Sequence, residues 1–159
     1  MVLSVLLAVG AFTLVQAHWI LNVPPTLGFD DVYEGIAPCG NIDPSLRNGT
    51  ITRYPIAGHP IGFLNTHSHA LFEFSVATLD DLDHWEPVGG TLSTHGAGEF
   101  CIDRFPLPRR YVGKNAVLQI IELGGDPLYQ CAAIRVTKGR PIRVPDNCVN
   151  GTGVHGEWV

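Results

Sequence analysis

Charge is scarce in this 159-residue sequence: 16% of its residues are Asp, Glu, Lys or Arg, and the first seventeen carry none. The ten basic residues are scattered apart from Arg109-Arg110, and the formal net charge is -5. That balance offers no electrostatic footprint for nucleic acid or an anionic membrane surface. Helical periodicity is hard to find, and after the leading stretch no apolar run is long enough to span a bilayer. The G-x-S-x-G, H-E-x-x-H, P-loop and Rossmann glycine patterns are all missing, which removes the common hydrolase and nucleotide-binding readings. No two cysteines form a C-x-x-C pair, so a zinc or thiol-redox motif is not indicated. There are no internal repeats, no low-complexity blocks and no composition shift that would mark a domain boundary.

The leading seventeen residues, MVLSVLLAVGAFTLVQA, form an apolar run ending in Val15-Gln16-Ala17, with small residues where a signal peptidase reads. A membrane anchor would want about 20 apolar residues and flanking charges, so a cleaved signal peptide (1–17) and one mature domain (18–159) are expected. The closing residues GTGVHGEWV lack the hydrophobic tail of a lipid anchor. Secretion gives the cysteines a meaning. Cys39, Cys101, Cys131 and Cys148 are even in number and widely spaced, as expected for two disulfides in an oxidising compartment. Three connectivities are open. Sequons at Asn48 and Asn150 suit a secreted, glycosylated surface.

With 18 glycines and 12 prolines the chain reads as loop-rich and all-β. Leu71–Leu79, Asn115–Leu123 and Leu128–Thr137 are strand candidates, the last two forming an antiparallel hairpin around Gly124-Gly125-Asp126-Pro127. Shorter candidates are Ile51–Tyr54, Ile61–Asn65 and Glu99–Asp103, while Asp80–Trp85 reads as a single helical turn. Several short strands between Gly/Pro turns predict an antiparallel sandwich. Cys101 and Cys131 fall in strands, and Cys39 and Cys148 in loops near opposite ends of the mature chain. The preferred pairing is therefore Cys39–Cys148 with Cys101–Cys131.

Cleavage after Ala17 would leave His18 first. An N-terminal histidine brings two nitrogen donors on one residue, its α-amine and its imidazole Nδ1, which close a chelate ring. A second histidine opposite gives three nitrogens in a T, one short of the square plane Cu(II) prefers, and copper heads the divalent affinity order for nitrogen ligands. His59, His67, His69, His84, His95 and His155 are the alternatives for that second ligand. His67 and His69 sit just before the strong strand at Leu71, where rigid backbone could present an imidazole at a sheet end. His84, beside Asp80, Asp81 and Asp83, reads as solvated acidic surface and lacks the register of a calcium loop.

These segments resemble the fungal X325 or BIM1-like family of copper proteins, relatives in fold of the lytic polysaccharide monooxygenases. The resemblance rests on HWILNVPPTLGFDD, the Pro38-Cys39-Gly40 step in APCGN, NTHSHALFEFSVA, GEFCIDRFPLP and LYQCAAIRV, in that order over nearly all the mature chain. It implies an immunoglobulin-like β-sandwich carrying a copper histidine brace, with His18 as the first ligand. The family's second histidine is commonly followed three residues later by alanine, which favours His67 over His69. An aspartate that joins the family's copper shell, two residues after the cysteine of the YQC motif, is replaced here by Ala133. The function implied is a secreted or cell-surface, monomeric Cu(II)-binding protein of copper acquisition, with a surface copper transporter as the expected class of partner. Two other readings stay open: a copper-dependent polysaccharide monooxygenase, and a sandwich that has lost its metal.

Overall fold

The computed structural model describes residues 18–47 and 49–159. The expected signal peptide (1–17) and the sequon residue Asn48 lie outside the described residues. The chain is an all-β sandwich, as the spacing of short strands predicted. Among the described residues the ten strands are β1 (Trp19–Val23), β2 (Thr52–Pro55), β3 (His59–Asn65), β4 (His69–Thr78), β5 (Asp81–Pro87), β6 (Leu92–His95), β7 (Gly98–Phe105), β8 (Asn115–Glu122), β9 (Leu128–Thr137) and β10 (His155–Trp158). A three-stranded sheet of order β1-β3-β7 faces a seven-stranded sheet in which six strands run in the order β10-β6-β4-β8-β9-β2 and the seventh, β5, pairs with β4. All pairings are antiparallel except β2 with β9. Among the described residues no helix is long and apolar enough to cross a membrane.

Alternation decides which face of each strand meets the core. Ala70, Phe72, Phe74 and Val76 of β4, with Ala116, Leu118 and Ile120 of β8, pack inward against Trp19, Leu21, Ile61 and Phe63 of the opposite sheet. Trp19 stands edge-on to Phe63 and to Phe72, with ring centroids 5.9 and 5.5 Å away, so it touches both sheets. Polar residues then end the inward rows at one end of the sandwich: Asn65 on β3, Glu122 on β8 and Gln130 on β9, all buried. The apolar core gives way there to a polar floor.

The opposite face of β8 and β9 is also covered. Val117, Gln119, Cys131 and Ala133 are buried beneath the long segment 24–47. That segment is tied down by Gln119 Nε2 donating to the Pro38 carbonyl, by Leu27 N–H donating to the Cys131 carbonyl, and by Arg47 donating to the carbonyls of Ala116 and Ile134. It also occupies the part of the β9 edge that β2 leaves free, which blunts an otherwise open strand.

The observed bridges are Cys39–Cys131 and Cys101–Cys148, with Cα separations of 5.3 and 5.2 Å, and not the pairing preferred from sequence. Two cysteines in strands need not face one another. Cys131 sits on the outer face of the seven-stranded sheet, under the Cys39 loop, whereas Cys101 lies on β7 in the other sheet. The C-terminal segment returns along β7, where Cys101 N–H donates to Asn150 Oδ1 and Gly151 N–H to the Glu99 carbonyl, bringing Cys148 alongside. Asp81–Pro87 is a strand and not the helical turn read from its acidic residues. Its pairing with β4 settles what local propensity did not.

Cys39–Cys131 closes a sequence separation of 92 residues. In the chain-entropy view a loop of that size constrains the unfolded chain by about 4–5 kcal/mol. The double substitution Cys39→Ser with Cys131→Ser should therefore lower unfolding free energy by about 2–5 kcal/mol in guanidinium titration. A loss under about 1 kcal/mol would mean that hydrogen bonds alone hold segment 24–47.

Candidate metal centre

The start of β1 brings His18 to the polar end of the sandwich. Trp19 pairs with Asn65, so antiparallel register sets residue 18 beside Thr66. His18 N–H donates to Thr66 Oγ1 at 2.9 Å, while the His18 carbonyl accepts from the Thr66 hydroxyl at 2.7 Å and from its N–H at 3.2 Å. These exposed bonds are worth about 1 kcal/mol each. Burying an aromatic side chain as large as Trp19 removes about 150–250 Å² from water, worth about 4–6 kcal/mol before entropy. Trp19 is therefore the anchor, and the Thr66 bonds set direction.

His67 follows Thr66 in the turn between β3 and β4. The buried Asn65 fixes its backbone twice, Oδ1 accepting from His67 N–H at 3.0 Å and Nδ2 donating to the His67 carbonyl at 3.2 Å. The imidazole points at Glu122, with Nδ1 3.2 Å from Oε1. That separation suits an ion pair, but the angles are not those of a hydrogen bond. His67 Nδ1 and both Glu122 oxygens are buried with no hydrogen-bond partner. Burial pushes the Glu122 carboxyl up to about 7, with nearby Glu34 adding to the rise and the Gly124 N–H offsetting part of it. Burial also lowers the pKa of His67, and the neighbouring charge of His18 lowers it further. Gly124 closes over this pair: a Cβ there would collide with Glu122 Oε1 and stand 3.1 Å from the His67 ring.

Glu34 completes the cluster from segment 24–47. Its carbonyl accepts from Tyr129 N–H at 2.8 Å, and its nearly inaccessible carboxylate has Oε2 3.0 Å from His18 Nδ1. Gln130 Nε2 donates to Glu34 Oε1 at 2.9 Å and also to the Trp19 carbonyl, while Gln130 Oε1 accepts from Leu21 N–H at 3.0 Å. Burial raises the Glu34 pKa against these hydrogen bonds from Gln130 and His18.

Two histidine–carboxylate pairs, His18 with Glu34 and His67 with Glu122, thus lie at one end of the sandwich. Orphaned buried donors and acceptors are rare in native proteins and call for an ion or water to satisfy them. Imidazole with carboxylate is a donor set that first-row metals such as copper accept. The copper acquisition factor BIM1-like family model matches residues 16–153. The chain belongs to that family. An uncharacterised protein of Aspergillus fumigatus is 28% identical over 152 residues, covering 89% of this chain and 62% of its own length. A lytic polysaccharide monooxygenase-like protein X325 of Yarrowia lipolytica is 25% identical over 172 residues, covering all of this chain and 64% of its own. The BIM1-like chain spans a little over six-tenths of the length of these curated relatives.

Membership gives the chain an association with copper. Of the sequence-predicted residues, His18 and His67 lie at the same end of the sandwich, residue 18 beside Thr66, while His69 turns to His95. His59 is a buried core residue stacked on Tyr54, and His84 is exposed on β5. Ala133 does not lie at this site. It pairs with Val117, four residues and about 13 Å along β9 from Tyr129, under segment 24–47. The carboxylates beside the histidines are Glu34 and Glu122, which sequence reading missed. Glu122 and Gln130 had a detectable signal, since each interrupts an apolar alternation at a core-facing position. Glu34, in a loop, had none. Of the two sequons, Asn150 is exposed, with Oδ1 engaged by Cys101 N–H.

Gln130→Leu would strand the Leu21 N–H, the Trp19 carbonyl and Glu34 Oε1 in the interior. At about 1–3 kcal/mol for each unsatisfied group, stability should fall by at least about 3 kcal/mol in urea or guanidinium titration. A variant within about 1 kcal/mol of the parent would show that these three groups find other partners.

Proposed function

We propose that the mature chain begins at His18 and binds Cu(II) through a histidine brace, made by the His18 α-amine, His18 Nδ1 and the His67 imidazole. It works outside the cell in copper acquisition and is not a catalyst. The observation that carries this reading is the β1–β3 register, which sets residue 18 beside Thr66 with His67 next in the chain. Glu122 faces His67 Nδ1 and so leaves Nε2 as the ring nitrogen for the metal, the arrangement by which a carboxylate commonly orients a ligating histidine. Glu34, 3.0 Å from His18 Nδ1, is the carboxylate nearest the N-terminal chelate.

Family membership supports copper as the ion, and the apolar run before His18 supports export and cleavage. The name of the Yarrowia relative keeps polysaccharide oxidation as the second reading. The tryptophans do not favour it. Trp19 is fully buried, Trp85 is half-buried in the cluster beneath segment 24–47, and Trp158, though exposed, stands alone with its ring against Phe74 and Phe105.

One equivalent of Cu(II) added to the chain starting at His18 should give an electron spin resonance spectrum with nitrogen hyperfine structure. One alanine added before His18, or His67→Ala, should each weaken binding at least about a hundredfold and erase that signature, because each removes a nitrogen ligand. An unchanged spectrum from the alanine-extended chain would overturn the brace. Oxidised oligosaccharides released from a glycan, with reductant present, would support the second reading instead.

A further inference from the structure

A second group of histidines lies outside this centre. His95 on β6 pairs in register with His69 on β4 on one side and with His155 on β10 on the other. Three adjacent strands therefore present an imidazole at the same level of the sheet. Opposed positions on neighbouring strands carry their Cβ atoms about 4.5–5.5 Å apart, close enough for the rings to share a ligand. The rings do meet: His69 and His95 have centroids 4.6 Å apart, and His95 and His155 are stacked at 5.2 Å. His69 and His155 are exposed and His95 is half-buried, so an ion could reach them from solvent.

The closest contact joins two nitrogens, His69 Nδ1 and His95 Nδ1, at 3.3 Å. Two ligands at the 2.0–2.1 Å zinc–nitrogen distance and a tetrahedral angle stand about 3.3 Å apart. Ligands at right angles on a square-planar ion at about 2.0 Å would stand nearer, at about 2.8 Å. The spacing therefore matches a tetrahedral ion better than planar Cu(II). The remaining ring nitrogen of His95, Nε2, lies 3.5 Å from Ser93 Oγ, a hydroxyl placed to steady the ring from behind. Among the described residues no three metal-ligating side chains already converge on one point. Here two nitrogens are spaced for an ion, and the third imidazole is stacked beside them on an exposed side chain that changes rotamer at little cost.

We propose that His69, His95 and His155 form a second metal site, selective for a tetrahedral divalent ion such as Zn(II) and separate from the His18–His67 centre. It needs no free N-terminus. His69 is two residues from His67, but it lies on the outward face of β4, whose alternate residues Ala70 and Phe72 enter the core. The site explains why sequence spacing alone put His67 and His69 in competition: each serves a different group of side chains.

The test uses the chain starting at His18, first loaded with one equivalent of Cu(II) and then titrated with Zn(II) in a calorimeter. One further equivalent of Zn(II) should bind, and also bind to the alanine-extended chain, so failure of the brace does not decide this result. His95→Ala should weaken Zn(II) binding at least about a hundredfold, and His155→Ala at least about tenfold. His84→Ala, an exposed strand histidine elsewhere, should leave it unchanged. Far-ultraviolet circular dichroism checks that each variant is folded, and His69→Gln supplies an independent loss of ligand should His95→Ala unfold. Absence of a zinc equivalent in the parent chain would overturn the proposal, as would undiminished binding in folded His95→Ala or His69→Gln.

Discussion

One buried amide holds the two halves of this molecule in register at the end that matters. Gln130, on the seven-stranded sheet, hydrogen-bonds the backbone of β1 on the facing sheet through Trp19 and Leu21. Its Nε2 also reaches the Glu34 carboxylate of segment 24–47. Sheets in a sandwich usually meet through apolar packing, which is strong but indifferent to small slides. Directional bonds from a side chain with almost no exposed surface remove that freedom. The residue before Trp19 is His18, so fixing β1 fixes the first candidate ligand. The same amide orients Glu34, which faces the His18 ring.

The site is continuous with the core, and its cost follows from that. Asn65, Glu122 and Gln130 occupy inward-facing positions that elsewhere in the same strands hold Phe63, Ile120 and Ala132. Burying a polar group costs free energy unless it is paired. Asn65 and Gln130 are hydrogen-bonded, whereas the Glu122 carboxyl has only the His67 ring, 3.2 Å away at poor angles, and the Gly124 N–H. A carboxyl held so sparingly in the interior is poor design for stability alone. It makes sense where a cation or a ligating imidazole supplies the missing interaction. Segment 24–47 sustains the arrangement from outside, since its disulfide and its bonds along the β9 edge deliver Glu34 to the same end.

The fold was legible where patterns were strong. β4, β8 and β9 carry long apolar alternation, and the 115–137 hairpin follows from it together with the Gly-Gly-Asp-Pro turn. β6 and β10 have four residues each, and β5 is mostly half-buried or exposed. Their strand character comes from pairing partners and not from their own side chains, so nothing local announces them. The disulfide pairing failed for a related reason. Which face of a strand a cysteine occupies depends on sheet membership, and Cys101 and Cys131 belong to different sheets. For the proposed site, His18 was singled out by the chemistry a processed terminus would have, and the choice of His67 came from the family pattern. Glu34 was beyond reach because a loop carboxylate acquires meaning only once the loop is docked. Ala133, singled out by the resemblance alone, lies on the outer face of β9, because where a motif residue falls along a strand is set by sheet register and not by the motif.

A metal centre built on a new chain end has to solve a problem of order, because the amine exists only after a peptide bond is cut. Here the cut is not needed to place the residue. The bonds between His18 and Thr66, the burial of Trp19 and the Asn65 turn before His67 all rest on atoms present whether or not Ala17 is attached. The backbone nitrogen of His18 already donates to Thr66 Oγ1. On the proposed reading, cleavage turns a non-basic amide nitrogen into an amine with a lone pair, at a position folding has already set. Proteolysis would then add the missing donor, with His18 Nδ1 exchanging its Glu34 partner for the metal, and metal capture inside the cell before export would be weak for want of that amine.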